Sequence, residues 1–203
     1  MCWQLTEIKM EFGLTTLAGL FIMLSYITIS YYKPKQEAEM AKSTLMAGYS
    51  ASQMIIMTTL DGISNDESMM LPTGGGNSIN WVAGHILASR TSILKLLGEE
   101  RYLSLEEQIP YARGTDRLKP GDTCLSMERI REGLEKTGKT VLKKLRETTD
   151  SALSQDIDLP DFPIKFDEPT VDAHLALLLY HEGYHTGQLG LGRCLVGKEA
   201  RIK

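Results

Sequence analysis

The sequence predicts an all-α, bundle-forming domain behind a separate apolar helix. Two observations carry this. Apolar residues recur at helical spacing in four long stretches, each closed by glycine, proline or small polar residues. A fifth stretch, near the N-terminus, is apolar throughout. The 203 residues suffice for one such domain with a sizeable core. The division expected is an apolar segment at 1–35 and a bundle at 36–203.

Phe12 to Tyr32 holds no charged residue over 21 positions. As a helix it would span roughly 30 Å, about one bilayer core. Tyr26, Tyr31 and Tyr32 cluster towards one end, as aromatic belts do, and Lys33 and Lys35 follow at once. Three threonines, two serines and two glycines lower the hydrophobicity of the run. A membrane anchor through 12–32 is the expectation, with an extra helix packed on the domain or on a partner as the alternative. A cleaved signal peptide fits less well, because no basic n-region precedes the run and no small-x-small site follows it. A start of translation at Met40 is a further reading. As an anchor, the segment with its two lysines places the domain in the cytoplasm.

Residues 36–63 read as the first bundle helix, with Met40, Leu45, Met46, Met54, Ile55 and Leu60 forming its stripe. The methionines read as adaptable core packing. Gly62 and Ser64-Asn65-Asp66 end this helix. Leu71 to Ser78 is a loop whose glycines lack the strand and the Lys-Ser or Lys-Thr of a phosphate-binding fingerprint. Asn77 or Ser78 caps the second helix, 79–97, which Gly98 stops. Residues 99–122 form a long polar connection with Pro110 and Pro120. Such a connection lets bundle helices cross over, and it can roof a site. The third helix, 126–149, has Ile130, Leu134, Val141, Leu142 and Leu145 inside and a solvated charged face outside. Leu159 to Phe166 is extended, because Pro160 and Pro163 disfavour a helix. The fourth helix, 171–196, ends at Gly197. Gly183, Gly187, Gly190 and Gly192 thin it out, each weakening the helix by up to about 1 kcal/mol. Close approach of another helix, or of a partner subunit, explains them, and a homodimer is expected.

The net charge is −4 and the basic residues are scattered, which gives no footprint for nucleic acid. Cys2, Cys124 and Cys194 are odd in number and widely spaced, so they read as reduced thiols of a reducing compartment. Cys194 lies nine positions past His185, about 180° round the helix, and points away from it.

Two of the four histidines, His181 and His185, stand at i and i+4, on one face of the fourth helix. Two imidazoles so placed can grip one transition-metal ion, and His85 in the second helix is the candidate third ligand. The bare spacing equally fits two half-buried histidines on an amphipathic helix, and a lone His85 fits a satisfied core residue. Together, however, His181-Glu182-x-x-His185-x-Gly187-Gln188-x-x-x-x-Arg193 and the earlier Asn80-x-x-x-x-His85 resemble the DinB-like family, which includes the YfiT-like thiol transferases. The resemblance covers about residues 40–197. It implies an antiparallel four-helix bundle and a divalent metal held by His85, His181 and His185.

Three imidazoles leave a metal position open for water or a thiolate, and a bound ion lowers the pKa of either. Ligand type does not separate zinc from nickel. The resemblance implies transfer of a low-molecular-weight thiol onto a small electrophilic substrate. The alternatives are a non-catalytic metal-binding or stress-related protein, and a metal-dependent hydrolase. A zinc-protease reading of His-Glu-x-x-His fails, because no later histidine supplies a third ligand. His174 lies about 10 Å along the axis from His181 and reads as core or as support for the site. Gln188 can donate a hydrogen bond near the open position or tie helix to helix. Arg193 can meet a carboxylate of a thiol cofactor or make a surface ion pair.

Overall fold

A computed structural model describes residues 40–158, 164, 167 and 169–201. The expected apolar helix at 12–32 lies outside the described residues. So does the expected extended stretch at 159–166, apart from Ile164.

Four long helices form the frame: α1 (40–60), α3 (Ile79–Leu96), α5 (Met127–Glu147) and α7 (Val171–Leu195). Their starts follow cap chemistry. The side chains of Ser78, Ser126 and Thr170 accept from the backbone N–H of Trp81, Arg129 and Ala173. At the C-terminal ends of α3 and α7, Gly98 and Gly197 take φ of +73° and +79°, which a Cβ would disfavour.

The connections hold short helices that the sequence reading passes over as loop: α2 (Asn65–Met69), α4 (Leu105–Gln108) with a 3-10 turn at Ile109–Tyr111, and α6 (Asp150–Leu153). The residues taken to end the first helix, Ser64-Asn65-Asp66, in fact start the next one. Ser64 with Glu67, and Ser104 with Glu107, form reciprocal capping boxes.

Hydrogen bonds fix the direction of each helix. Lys42 Nζ donates to the carbonyl of Arg146 (2.9 Å), and Arg131 at the other end of α5 reaches the carbonyl of Ile63 (2.9 Å), so α1 and α5 are antiparallel. Ile79 packs at Gly192 and Arg90 meets Glu182, so α3 and α7 are antiparallel. The long connection then makes α3 and α5 run the same way: Asn80 sits beside Met127, and Arg90 beside Thr137. The pair α1 and α7 also runs parallel, with Tyr49 donating to the carbonyl of Leu175 and Arg193 to that of Thr59.

The core falls into two apolar clusters stacked along the bundle. One gathers Ile56, Leu60, Ile86, Leu87, Ile130, Leu134 and Leu189. The other gathers Leu45, Tyr49, Ile93, Leu94, Val141, Leu145, Leu175 and Leu178. Between them in all four helices lies a polar layer. Arg90 and Glu182, each 2% exposed, form a two-pronged ion pair, with Nη2 to Oε1 at 2.9 Å and Nε to Oε2 at 3.0 Å. Ser52 donates to the same carboxylate at 2.6 Å. Arg90 Nη1 donates to the Leu134 carbonyl and to Thr137. Both charged groups are hydrogen-bonded as well as paired, which is what makes a charge pair tolerable at this depth.

Candidate metal centre

The antiparallel contact of α3 with α7 brings His85 against His181 and His185. His181 Nε2 stands 3.2 Å from His85 Nε2 and 3.1 Å from His185 Nε2. Each outer imidazole is oriented through its other nitrogen. His85 Nδ1 lies 2.7 Å from the Tyr111 carbonyl, and His185 Nδ1 lies 2.7 Å from Gln188 Oε1. A carbonyl can only accept, so Nδ1–H of His85 donates to Tyr111. The same arrangement at Gln188 leaves both Nε2 atoms with lone pairs turned to His181. One proton on His181 can serve only one of them. A cation between the three rings satisfies all.

The spacing also suits such an ion. Nitrogens at about 2.0–2.1 Å from one metal and at roughly tetrahedral angles stand about 3.3 Å apart. The three histidines are the group, among the described residues, whose nitrogens converge in this way, all within 4.8 Å of one another. Burial pushes the imidazoles below their ordinary pKa. For His85 it outweighs the opposing Tyr111 carbonyl, and for His181 it is reinforced by His85. His185 falls to about 4, burial again leading. All three are therefore neutral at pH 7, the form that binds metal.

The Trp81 ring stacks on His85, with centroids 4.7 Å apart and planes 8° from parallel, and its Nε1 donates to Thr115. Tyr111 anchors the roof. Its ring lies on Gly84, its hydroxyl donates to Asn80 Oδ1, and the Leu125 N–H donates back to it. A cavity of about 720 Å³ opens beside the histidines, walled by Trp81, Leu178, Tyr180, Tyr184 and the 108–114 stretch of the connection.

The remaining candidates take other places. Glu182 faces the core, away from the histidines, which removes it as a base for protease or hydrolase chemistry. His174 is buried, its Nδ1 2.8 Å from the Thr170 carbonyl, and stands apart from the cluster. Gln188 serves neither expected role but holds His185 from its own helix. Arg193 is neither among the residues that line the cavity nor on the surface. It is 5% exposed and caps the end of α1 through the carbonyls of Thr59 and Asp61. Cys194 is exposed and free. Of the four glycines in α7, Gly192 is the one closely approached by another of the described residues, Ile79. Among the described residues, a Cβ at Gly183, Gly187 or Gly190 would meet nothing within 4 Å. Among the described residues no helix is long and apolar enough to cross a membrane.

The sequence reading missed the parts played by Tyr111, Arg90 and Glu182. Arg90, a charge in the middle of a helix whose flanking turns are largely apolar, was the available signal for the ion pair.

Fold and site together define a helical-bundle protein with a histidine triad fit for a metal ion. The family model of the DinB superfamily matches residues 49–189, and the chain belongs to that superfamily. No curated protein matches it.

Proposed function

We propose that the protein is a divalent-metal enzyme that transfers a small thiol onto an electrophilic carbon. The observation that carries the reading is the convergence of three imidazole nitrogens on the edge of a cavity large enough for a small molecule. His85, His181 and His185 would hold zinc or nickel. A bound ion supplies Lewis acidity that makes a coordinated thiol a thiolate near neutral pH. In the transfer a new carbon–sulfur bond forms, the bond to the leaving group breaks, and the thiol proton passes to solvent. The chain orients the ligands through Tyr111 and Gln188 and shields one side of the site with Trp81. Hydrolysis is the weaker reading, because no carboxylate among the described residues lines the cavity to serve as base.

The test is metal content by mass spectrometry on the full chain, purified without a histidine tag, beside His85→Ala and His181→Ala. One ion per chain, lost in both variants, is expected. The loaded chain should then consume thiol with monobromobimane. A parent that takes up neither zinc nor nickel overturns the reading. Stoichiometric metal without thiol consumption leaves a metal-binding protein that is not this transferase.

A further inference from the structure

The exposed faces of the long helices differ in kind. In α5 every exposed position is charged, Glu132, Glu135, Lys139 and Lys143 among them. In α1 and α7 no exposed position is charged. Between Lys42 and Asp61 the first helix carries no charge at all. In α7, Glu182 and Arg193 are buried, and Asp172 stands in the first turn. Outward, α7 shows Tyr180, Tyr184, Leu191 and Leu195, all more than half exposed, with Gly183 and Gly187 beside them. The two helices run side by side, with Gly48 against Leu179. A groove opens between their starts, lined by Met40, Ala41, Thr44, Ala173 and Ala176. Single exposed apolar side chains are ordinary, but an uncharged face along two adjoining helices is one that a partner covers.

We infer that the apolar run at 12–32 of the same chain, outside the described residues, docks as a helix along this face, antiparallel to α7. Such docking needs no metal. Three features select this occupant. The first is reach. Residues 33–39 join the run to Met40, which lines the groove, and seven residues extend to about 23 Å. So short a tether keeps the run at a high effective concentration beside the face. The second is length. A helix of 21 residues measures about 31 Å, and α7 from Ala173 to Leu195 about 33 Å. The third is charge. The run brings none, and Lys33 and Lys35 after it arrive at the end of α7 that holds Asp172. Helical spacing sets Leu14, Leu17, Leu20, Phe21 and Leu24 on one side of the run and Thr15, Thr16, Gly19, Tyr26 and Ser30 on the other. The leucine side packs on the bundle, and the hydroxyl side meets water. Tyr180 and Tyr184 also wall the cavity beside the histidines, so the docked run braces that wall.

Cys194 reports on the face, because its thiol is exposed one turn from Leu191. The full chain is alkylated with iodoacetamide in lipid-free buffer beside Phe21→Glu/Leu24→Glu, which alters none of the described residues. Mass spectrometry follows each cysteine separately. Cys194 should react about tenfold more slowly in the parent than in the variant, as a mostly closed local equilibrium requires. Cys124, half-buried on the far side of the bundle core, should react alike in both, which verifies an unchanged fold. Sedimentation velocity should give the mass of one chain, with the protection unaffected by dilution. Equal rates at Cys194 in parent and variant overturn the inference. Protection that fades on dilution, with the mass of two chains, overturns it in favour of a second copy on the face. A parent that stays in solution only with phosphatidylcholine vesicles overturns it in favour of a lipid anchor.

Discussion

His185 depends on an atom that no metal would touch. Gln188 Oε1 holds its Nδ1–H, fixing both the tautomer and the ring plane. Gln188→Ala should leave the fold intact and lower metal affinity about 10–100-fold, measured by competition with a chelator. Acid acts on the same residues. In the unfolded chain the imidazoles titrate near 6.5, whereas burial holds His185 at about 4 and lowers His85 and His181. Between those values the unfolded state binds more protons. The metal-free chain should therefore keep this stability above pH 6.5 and lose it progressively towards pH 4. Urea midpoints should be lower at pH 5 than at pH 7, and the difference should shrink in His85→Gln/His185→Gln.

Among the elements, α3 and the connection after it set the shape of the site. Gly84 is the contact point. A Cβ there would lie 2.2 Å from the Tyr111 ring, so the helix and the roof can approach only where the side chain is a hydrogen. Gly84→Ala must push Tyr111 away, and with it the carbonyl that orients His85. The expected loss is about 1–3 kcal/mol in denaturant unfolding, together with weaker metal binding. The long helices were legible from apolar spacing and from signals such as the Ser78 cap and the closing Gly98 and Gly197. The short ones were passed over although Ser64-x-x-Glu67 and Ser104-x-x-Glu107 spell capping boxes. A five-residue or four-residue helix has too few turns to display an apolar period.

Across the whole molecule, one polar layer ties the four long helices together between two apolar clusters. Glu182 carries it, one residue from His181, so the layer and the metal centre share α7. Removing one charge leaves the other buried and unpaired. Glu182→Leu and Arg90→Met should each destabilise by about 3–5 kcal/mol, while the double variant should recover much of that loss. Thermal unfolding of the three variants checks this. Recovery in the double variant would show that the pair, though costly to break, supplies little net stability.

The sequence by itself determined the four long helices of the bundle, to within a few residues where their ends are described, and the histidine pair at i and i+4, because helical periodicity and capping are local in the chain. It also placed Trp81 one turn from His85, where the ring stacks. Only the tertiary structure decided which side chains complete the site. Tyr111 meets His85 through a backbone carbonyl, which every residue type possesses, so composition carries no trace of it. The same holds for Arg193, whose partners are the carbonyls closing α1. Glu182 follows His181 directly in sequence, yet about 100° of helix turn sends its carboxylate into the core. What lies at that angle depends on the antiparallel packing of α3 against α7, and packing is a property of the folded chain.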